Sequence, residues 1–388
     1  MKKFALLLVT VLLVLSCKNQ SRLLLDVKEV DFVNKSDVTL HGTEVGADWP
    51  LDIQSIAVCD SFLLVLSGQE NNMFYVYSDE LELKGRFCNR GRARNEFTSA
   101  PAWFSTQILR DARGDAIIPL QDRMIGVKAI DLQRSLEAQS AVIAVQNDYR
   151  SINIIERRDE NTGFRNRITI AIRNLFLDND INRRFEYYNP VVIDDVIYNE
   201  PRYVVTQDTT QVKEIRLLSR FEALDFDYVG GNLCKHPSRN LIVQPFRNMD
   251  YIMFFDLDND RNFAVHQVGS LSLDDDLPIV EDIEVRRDDG TLSYKDPRTD
   301  HFVEVACTES FFMVTYYSGD YTLGQPDPEN GTPELLFFDW DGNFLKSVKL
   351  DTHVSRMTYD EKNHILYTVD FNTDSIYSYD LVSFVIRS

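Results

Sequence analysis

The stretch "SIAVCDSFLLVLSG" at residues 55–68 runs almost directly into "NMFYVYSDELELKGRF" at 72–87. Ser55 to Cys59 is a short alternating segment, Asp60 and Ser61 make a polar turn, and Phe62 to Leu66 is apolar at every position. A strand that is apolar on both faces must be covered from both sides, whereas an alternating strand meets solvent on one face. The two segments that follow alternate as outer strands do and meet across a polar turn. Together the four segments read as an antiparallel meander whose second strand lies between neighbouring sheets.

The unit recurs, and repeats outrank local motifs in deciding a fold. "GNLCKHPSRNLIVQPF" at 231–246 continues into "YIMFFDLDNDRNFAVHQV" at 251–268, and "VEVACTESFFMVTYYSG" at 303–319 into "PELLFFDWDGNFLKSVKL" at 333–350. A last copy is "SRMTYDEKNHILYTVD" at 355–370 with "DSIYSYDL" at 374–381. Weaker units lie at Gln107 to Leu132 and Val191 to Leu218. Six such sheets stacked radially predict an all-β, six-bladed β-propeller of four-stranded antiparallel meanders. The count becomes seven if residues 149–186, with "ITIAIRNLF" inside them, form a blade of their own.

Ahead of the repeats, Lys2 and Lys3 precede an apolar run from Phe4 to Leu15, which closes on Val14-Leu15-Ser16-Cys17. That order is a bacterial lipobox, so residues 1–16 read as a signal peptide and Cys17 as the lipidated residue. The apolar run is too short to span a bilayer as a helix. Residues 17–49 then supply a tether and a closing strand, and residues 50–388 the propeller. An open ring leaves unpaired strand edges at its seam. Leu23 to Phe32 is therefore expected to pair beside Ser375–Asp380 or Leu381–Ile386.

The net charge is −20, and removing residues 1–16 takes away two lysines and no acid. A chain this acidic is repelled by phosphate backbones, so nucleic acid is not an expected partner. Membrane attachment falls to the lipid rather than to a basic face. Beyond Cys17 the cysteines are Cys59, Cys88, Cys234 and Cys307, with no Cys-x-x-Cys pair to suggest a metal or redox motif. Successive blades seldom bring cysteines close enough to bridge, so four free thiols are expected.

The spaced features "RGRARNEF" at 90–97, "YNPVVIDD" at 188–195, "KHP" at 235–237, "YYSG" at 316–319 and "FFDWDGNFLKSVKLD" at 337–351 resemble the TolB-like six-bladed propeller lipoproteins of Gram-negative anaerobes. The likeness spans nearly the whole chain after Cys17. It implies the fold and an outer-membrane anchor facing the periplasm, and it implies no reaction, because propellers host enzymes, receptors and scaffolds alike. Ala93 and Arg94 stand where family members often carry Gly-Pro, which puts the backbone of that loop in question.

Asp256, Asp258 and Asp260 have the first spacings of a calcium loop, but Arg261 and Gln267 occupy the positions that need glycine and glutamate, so a hairpin turn is the reading. Arg86, Arg90, Arg92 and Arg94 cluster in an otherwise acidic chain, and Arg90, Arg92 and Arg94 are candidates to hold an anionic group. The competing role for them is an ion-pair network with acids such as Glu96. Tyr316, Tyr317 and Tyr321, beside the loop Gly324 to Gly331, are candidates for a platform that stacks on a sugar or peptide. His41, His236, His266, His301, His353 and His364 are scattered, and no His-Glu-x-x-His or Gly-x-Ser-x-Gly motif appears. No catalytic residue, metal ligand or cofactor motif is assigned. The leading functional reading is a non-catalytic binding or scaffolding propeller for a protein, peptide or glycan. The alternative is a propeller hydrolase or lactonase with a metal at the central channel. If Cys17 carries the acyl chains, Cys17→Ala releases soluble or unprocessed protein from the membrane fraction; unchanged fractionation, with no lipid mass on the wild type, overturns the assignment.

Overall fold

The computed structural model describes residues 26–46, 48–69, 71–98, 101, 108–111, 113–122, 126–147, 231–256, 259, 261–275, 300–318, 333–370 and 373–385, and gives strand placement alone for parts of 152–216 and 283–295. Cys17 lies outside the described residues, as does Tyr321.

The repeats fold as antiparallel meanders. The first blade comprises Ile53–Cys59, Phe62–Ser67, Phe74–Ser78 and Leu83–Phe87. The second comprises Leu109–Arg110, Ala116–Asp122, Gly126–Asp131 and Ile143–Asn147, with a short helix, Leu132–Ala138, before its last strand. The third runs through Cys234–Lys235, Leu241–Pro245, Tyr251–Asp256 and Arg261–Gln267. The fourth runs through Phe302–Cys307, Phe311–Tyr316, Glu334–Asp339 and Phe344–Leu350. The fifth has Arg356–Asp360, Ile365–Asp370 and Ser375–Asp380, and borrows Thr43–Glu44 as its outer strand.

Four apolar cores join these blades into a continuous arc. In the second strand of the fourth blade, Phe312 and Val314 face the third blade's Phe254 and Val243, while Met313 faces the fifth blade's Leu366 and Met357. The first blade repeats the arrangement: Leu64 and Leu66 pack on the second blade's Ile118 and Leu120, and Leu63 and Val65 on the fifth blade's Tyr367 and Val369. Successive residues of a strand point to opposite faces, so a strand buried on both faces needs an uninterrupted apolar run. The blades therefore follow one another in the order third, fourth, fifth, first, second. Radial stacking of this kind is a β-propeller.

Five blades stand among the residues described with side chains, where the repeats predict six. Val191 to Leu218 is not a meander of its own. Its strands Arg202–Gln207 and Gln211–Arg216 join Ile152–Arg158, Arg165–Leu177 and Arg183–Tyr188 in one five-stranded sheet. The expected alternation of the third strands also fails. Tyr251–Asp256 is buried throughout, and Glu334–Asp339 and Phe74–Ser78 nearly so; in the first and fourth blades side chains of both faces pack on the neighbouring sheets. In the third and fourth blades a fifth strand also lies outside the fourth.

That extra strand comes from residues 26–45, which pass along the outer edges of three blades as a strap. Asp26–Val30 lies parallel to Arg261–Gln267 on the third blade, Thr39–Leu40 parallel to the end of Phe344–Leu350 on the fourth, and Thr43–Glu44 antiparallel to Ser375–Asp380 on the fifth. The N-terminal segment thus pairs with the last blade, but through Thr43 and Glu44 rather than Leu23 to Phe32. Of the expected alternative, Leu381–Ile386, the described part supplies no strand either, since Val382–Val385 is a short helix; Ile386 lies outside the described residues. Phe32 is the strap's main anchor. It is fully buried, its ring lies 5.5–6.1 Å from those of Phe302, Tyr316 and Phe338, and its amide donates to Gln267 Oε1 at 2.7 Å. Asp351 holds the next stretch, accepting from the Gly42 amide at 2.9 Å and the Tyr379 hydroxyl at 3.1 Å.

The cysteines depart from expectation as well. Cys234 and Cys307, on the first strands of adjacent blades, have Cα atoms 6.2 Å apart and form a disulfide, within the span a bridge allows. Cys59 and Cys88 are free and buried. Truncating the strap's anchor, Phe32→Ala, should cost about 3–5 kcal/mol in chemical denaturation, whereas exposed Lys35→Ala should change little; equal small effects would show that the strap is not part of the cooperative core.

Candidate functional site

Strands alternate in direction within a meander, so the loop before each blade's first strand and the loop between its second and third strands share one face of the ring. Polar groups from four blades, three side chains and one backbone carbonyl, gather on that face where the first strands converge on the axis. Gln54 and Arg356 sit near the starts of their first strands, Glu304 is the third residue of its strand, and Asn232 immediately precedes Leu233 and Cys234.

First strands have no ladder partner on the axial side, and side chains bridge them instead. The Val58 amide donates to Thr358 Oγ1 at 3.0 Å, joining the first and fifth blades. Arg356 donates from Nε to the Gln54 carbonyl and from a terminal nitrogen to Glu304 Oε1 at 3.3 Å. Asn232 Nδ2 donates to Glu304 Oε1 at 3.1 Å and to the Val303 carbonyl at 2.7 Å. One carboxylate oxygen therefore collects donors from the blades on either side of it.

Glu304 is recessed, with 14% of its side chain exposed. Burial pushes its carboxyl up to about 7, although the Arg356 and Arg247 guanidiniums pull the other way. Arg247 comes from the loop between the second and third strands of the third blade, and its Nε lies 3.4 Å from Asp300 Oδ1. Behind it, His301 Nδ1 is 2.8 Å from Asp250 Oδ1. Burial alone would raise the Asp250 carboxyl, yet His301, Ser270 and Tyr316 outweigh it and hold the pKa below the ordinary value.

The arginine loop lies on the same face, in the connection between the first and second blades. Arg90, Arg92 and Arg94 are all exposed. The loop beneath them is well anchored: Gly91 N donates to Phe97 O and Phe97 N to Asn89 O, both at 2.9 Å, and Ala93 N donates to Glu96 Oε2 at 2.8 Å. Glu96 thus braces the backbone of the loop. Buried Lys128 donates to the Glu96 carbonyl and lies 3.6 Å from buried Asp122, which accepts from Thr98 N at 3.0 Å. Arg92 and Arg94 have no ion-pair partner among the described residues.

The tyrosine platform is not formed. Tyr316 is 4% exposed and packs between the third and fourth blades, and Tyr317 is 1% exposed, with its hydroxyl accepting from Val354 N at 2.9 Å. Two consecutive aromatic residues at a strand end point to opposite faces, and here both faces are covered. His236 is buried against Trp340, with ring centroids 4.6 Å apart, in a structural position. Asp256 accepts from the backbone and side chain of Asn259 at 3.1 and 2.9 Å, which makes a turn; Asp258 and Asp260 lie outside the described residues. Among the described residues, no three His, Cys, Asp or Glu side chains are grouped to hold a metal ion.

No protein-family model and no curated protein sequence matches the chain. Solved structures that match in shape include the β-propeller domain of Myceliophteria thermophila Cps50 (Swd1), at 10% identity and TM-score 0.41 over 87% of this chain and 99% of that one. A chain of the mitotic checkpoint complex matches at 11% identity and TM-score 0.45, covering 94% of this chain and 99% of its own. U3-55K matches at 9% identity and TM-score 0.44, covering 86% and 97%. At these scores the propeller assignment rests on the strand ladders and inter-blade cores of the chain itself.

Glu304 carries a stability signature. Its folded carboxyl titrates near 7 against an ordinary 4.5, so the fold retains a proton that the unfolded chain has lost. Stability from this group is present below about pH 4.5 and is lost as the pH rises to about 7. Glu304→Gln should therefore narrow the fall in Tm between pH 5 and pH 8; an unchanged fall would show that the carboxyl titrates alike in both states.

Proposed function

We propose that this chain is a lipid-anchored propeller that binds its ligand without transforming it, taking a protein, peptide or glycan on the face that carries the axial cluster and the arginine loop. The observation that carries the reading is the convergence of the Asn232, Glu304 and Arg356 side chains from three blades, tied to a fourth through the Gln54 carbonyl. Such a constellation is polar, recessed and assembled from separate blades, as a ligand site in a ring requires. The sequence resemblance supports membership of the TolB-like lipoproteins, and the lipobox supports anchoring through Cys17 at the outer membrane, facing the periplasm. In chain order the 152–216 sheet falls between the second and third blades, where the arc is open, and it is our candidate for the sixth blade.

A guanidinium stands beside Glu304, where a hydrolase of the metal-channel type would place further carboxylates. Binding is favoured over that alternative. Full-length protein in detergent micelles, screened on glycan and peptide arrays, should give hits that Arg356→Ala weakens at least tenfold, with Arg92→Ala/Arg94→Ala affecting anionic ligands only. Hits indifferent to all three substitutions would move the site elsewhere, and cleavage of an arrayed ligand, read by mass spectrometry, would restore the enzyme.

A further inference from the structure

We propose that the axial cluster is a carboxylate-binding site, in which a ligand carboxylate bridges Arg356 and Arg247 while Glu304 takes up a proton. The proposal rests on the reading that this face is the ligand face and names the chemistry it selects.

The two guanidiniums are only partly used. Arg356 gives Nε to the Gln54 carbonyl and one terminal nitrogen to Glu304 and the Ser355 carbonyl; its other terminal nitrogen has no partner among the described residues. Arg247 reaches Asp300 through Nε, and its two terminal nitrogens have no partner among the described residues. The side chains are 30% and 42% exposed, so both heads are reachable from solvent. Arg356 reaches Glu304 Oε1 from the fifth blade, and Arg247 comes from the third, its backbone packed against Gly231 beside the Asn232 that holds the same carboxylate oxygen. A planar carboxylate is the natural complement of guanidinium donors with free N–H groups.

Glu304 decides what else the ligand must satisfy. As an anion it competes for the same arginines, and two carboxylates sharing a site cannot both stay ionised without a large penalty. Its burial and its titration near neutrality make proton uptake the cheap way out. Neutral Glu304 then donates an O–H to the incoming carboxylate and still accepts from Asn232 Nδ2 at its other oxygen lone pairs. Among the described residues, the charged groups nearest the cluster are Asp300 on Arg247, the Asp250–His301 pair behind it and Asp52 on the Gln54 side chain. With those acids close by, a ligand carrying one negative charge fits better than a phosphate dianion. A uronic acid and a peptide C-terminus both carry that group.

The test is calorimetric titration of full-length protein in detergent micelles with four probes: methyl glucuronide, neutral methyl glucoside, and an acetylated dipeptide with a free or amidated C-terminus. The two carboxylate arms identify which source is preferred. At least one carboxylate probe should bind and its neutral match should not. Titrations at pH 7 in two buffers of different ionisation enthalpy should show uptake of about half a proton, and affinity should rise roughly tenfold from pH 8 to pH 6. Glu304→Gln should abolish the proton uptake and flatten the pH dependence. Arg356→Gln should lose at least tenfold, and Arg247→Gln repeats the test if that variant misfolds. Equal binding of the neutral match, binding with no proton uptake, or no binding of either carboxylate at millimolar concentration overturns the proposal. Array ligands that need Arg356 but carry no carboxylate would sink this inference and leave the binding reading intact; array hits indifferent to Arg356, with neither carboxylate probe bound, would sink both.

Discussion

Every blade has two edges, and neither is hidden by the apolar cores between sheets. An unpaired edge exposes a row of backbone donors and acceptors that will take any strand offered to it. The chain answers this constraint differently at the rim and at the axis. At the rim, backbone pairs with backbone: residues 26–45 lie along the third and fourth blades and complete the fifth. At the axis the first strands splay too far apart for a ladder, and Thr358, Arg356 and Asn232 reach across with side chains. The axial cluster is polar because the edges it bridges are polar.

This dual duty explains the unusual state of Glu304. A buried ion pair gives little net stability, and a buried carboxylate sharing its donors gives less. The disulfide between Cys234 and Cys307 and the packing of Phe312, Val314, Phe254 and Val243 hold the third and fourth blades together whatever Glu304 does. Ionising Glu304 therefore lowers the stability of the fold without parting those two blades. The arginine loop follows the same logic: Phe97, Lys128 and Asp122 fix its base, so its backbone needs no ordering before contact with a ligand.

The blades were legible because burial on two faces forces an apolar run, as in Phe62 to Leu66 and Phe311 to Val314, and such runs repeat visibly. The strap was not. Its residues alternate only briefly at Val27, Val30 and Phe32, and nothing local says that Phe32 belongs with Phe302 and Phe338 or that Thr43 belongs with Ser378. The axial cluster was equally hidden, since Gln54, Asn232, Glu304 and Arg356 are single polar residues in unrelated contexts. One signal was present: each falls within three residues of the opening of a repeat's first strand, though not at one shared register. Tyr316 and Tyr317 misled for the opposite reason. They adjoin a polar loop, but the strand alternation sends each into a different covered face.

The strap also fixes when the molecule can be finished. Phe32 meets Gln267 across 235 residues, and Thr43 meets Ser378 across 335. A chain is made from its N-terminus, so the residues emitted earliest wait for partners emitted near the end, and they dock in the order third, fourth, fifth blade as those blades appear. Contacts this distant make closure slow. Until it happens, three sheet rims stay open to passing strands. Maturation of this ring is therefore an event of the completed polypeptide, and whatever escorts the chain beforehand must cover the strap and the rims alike.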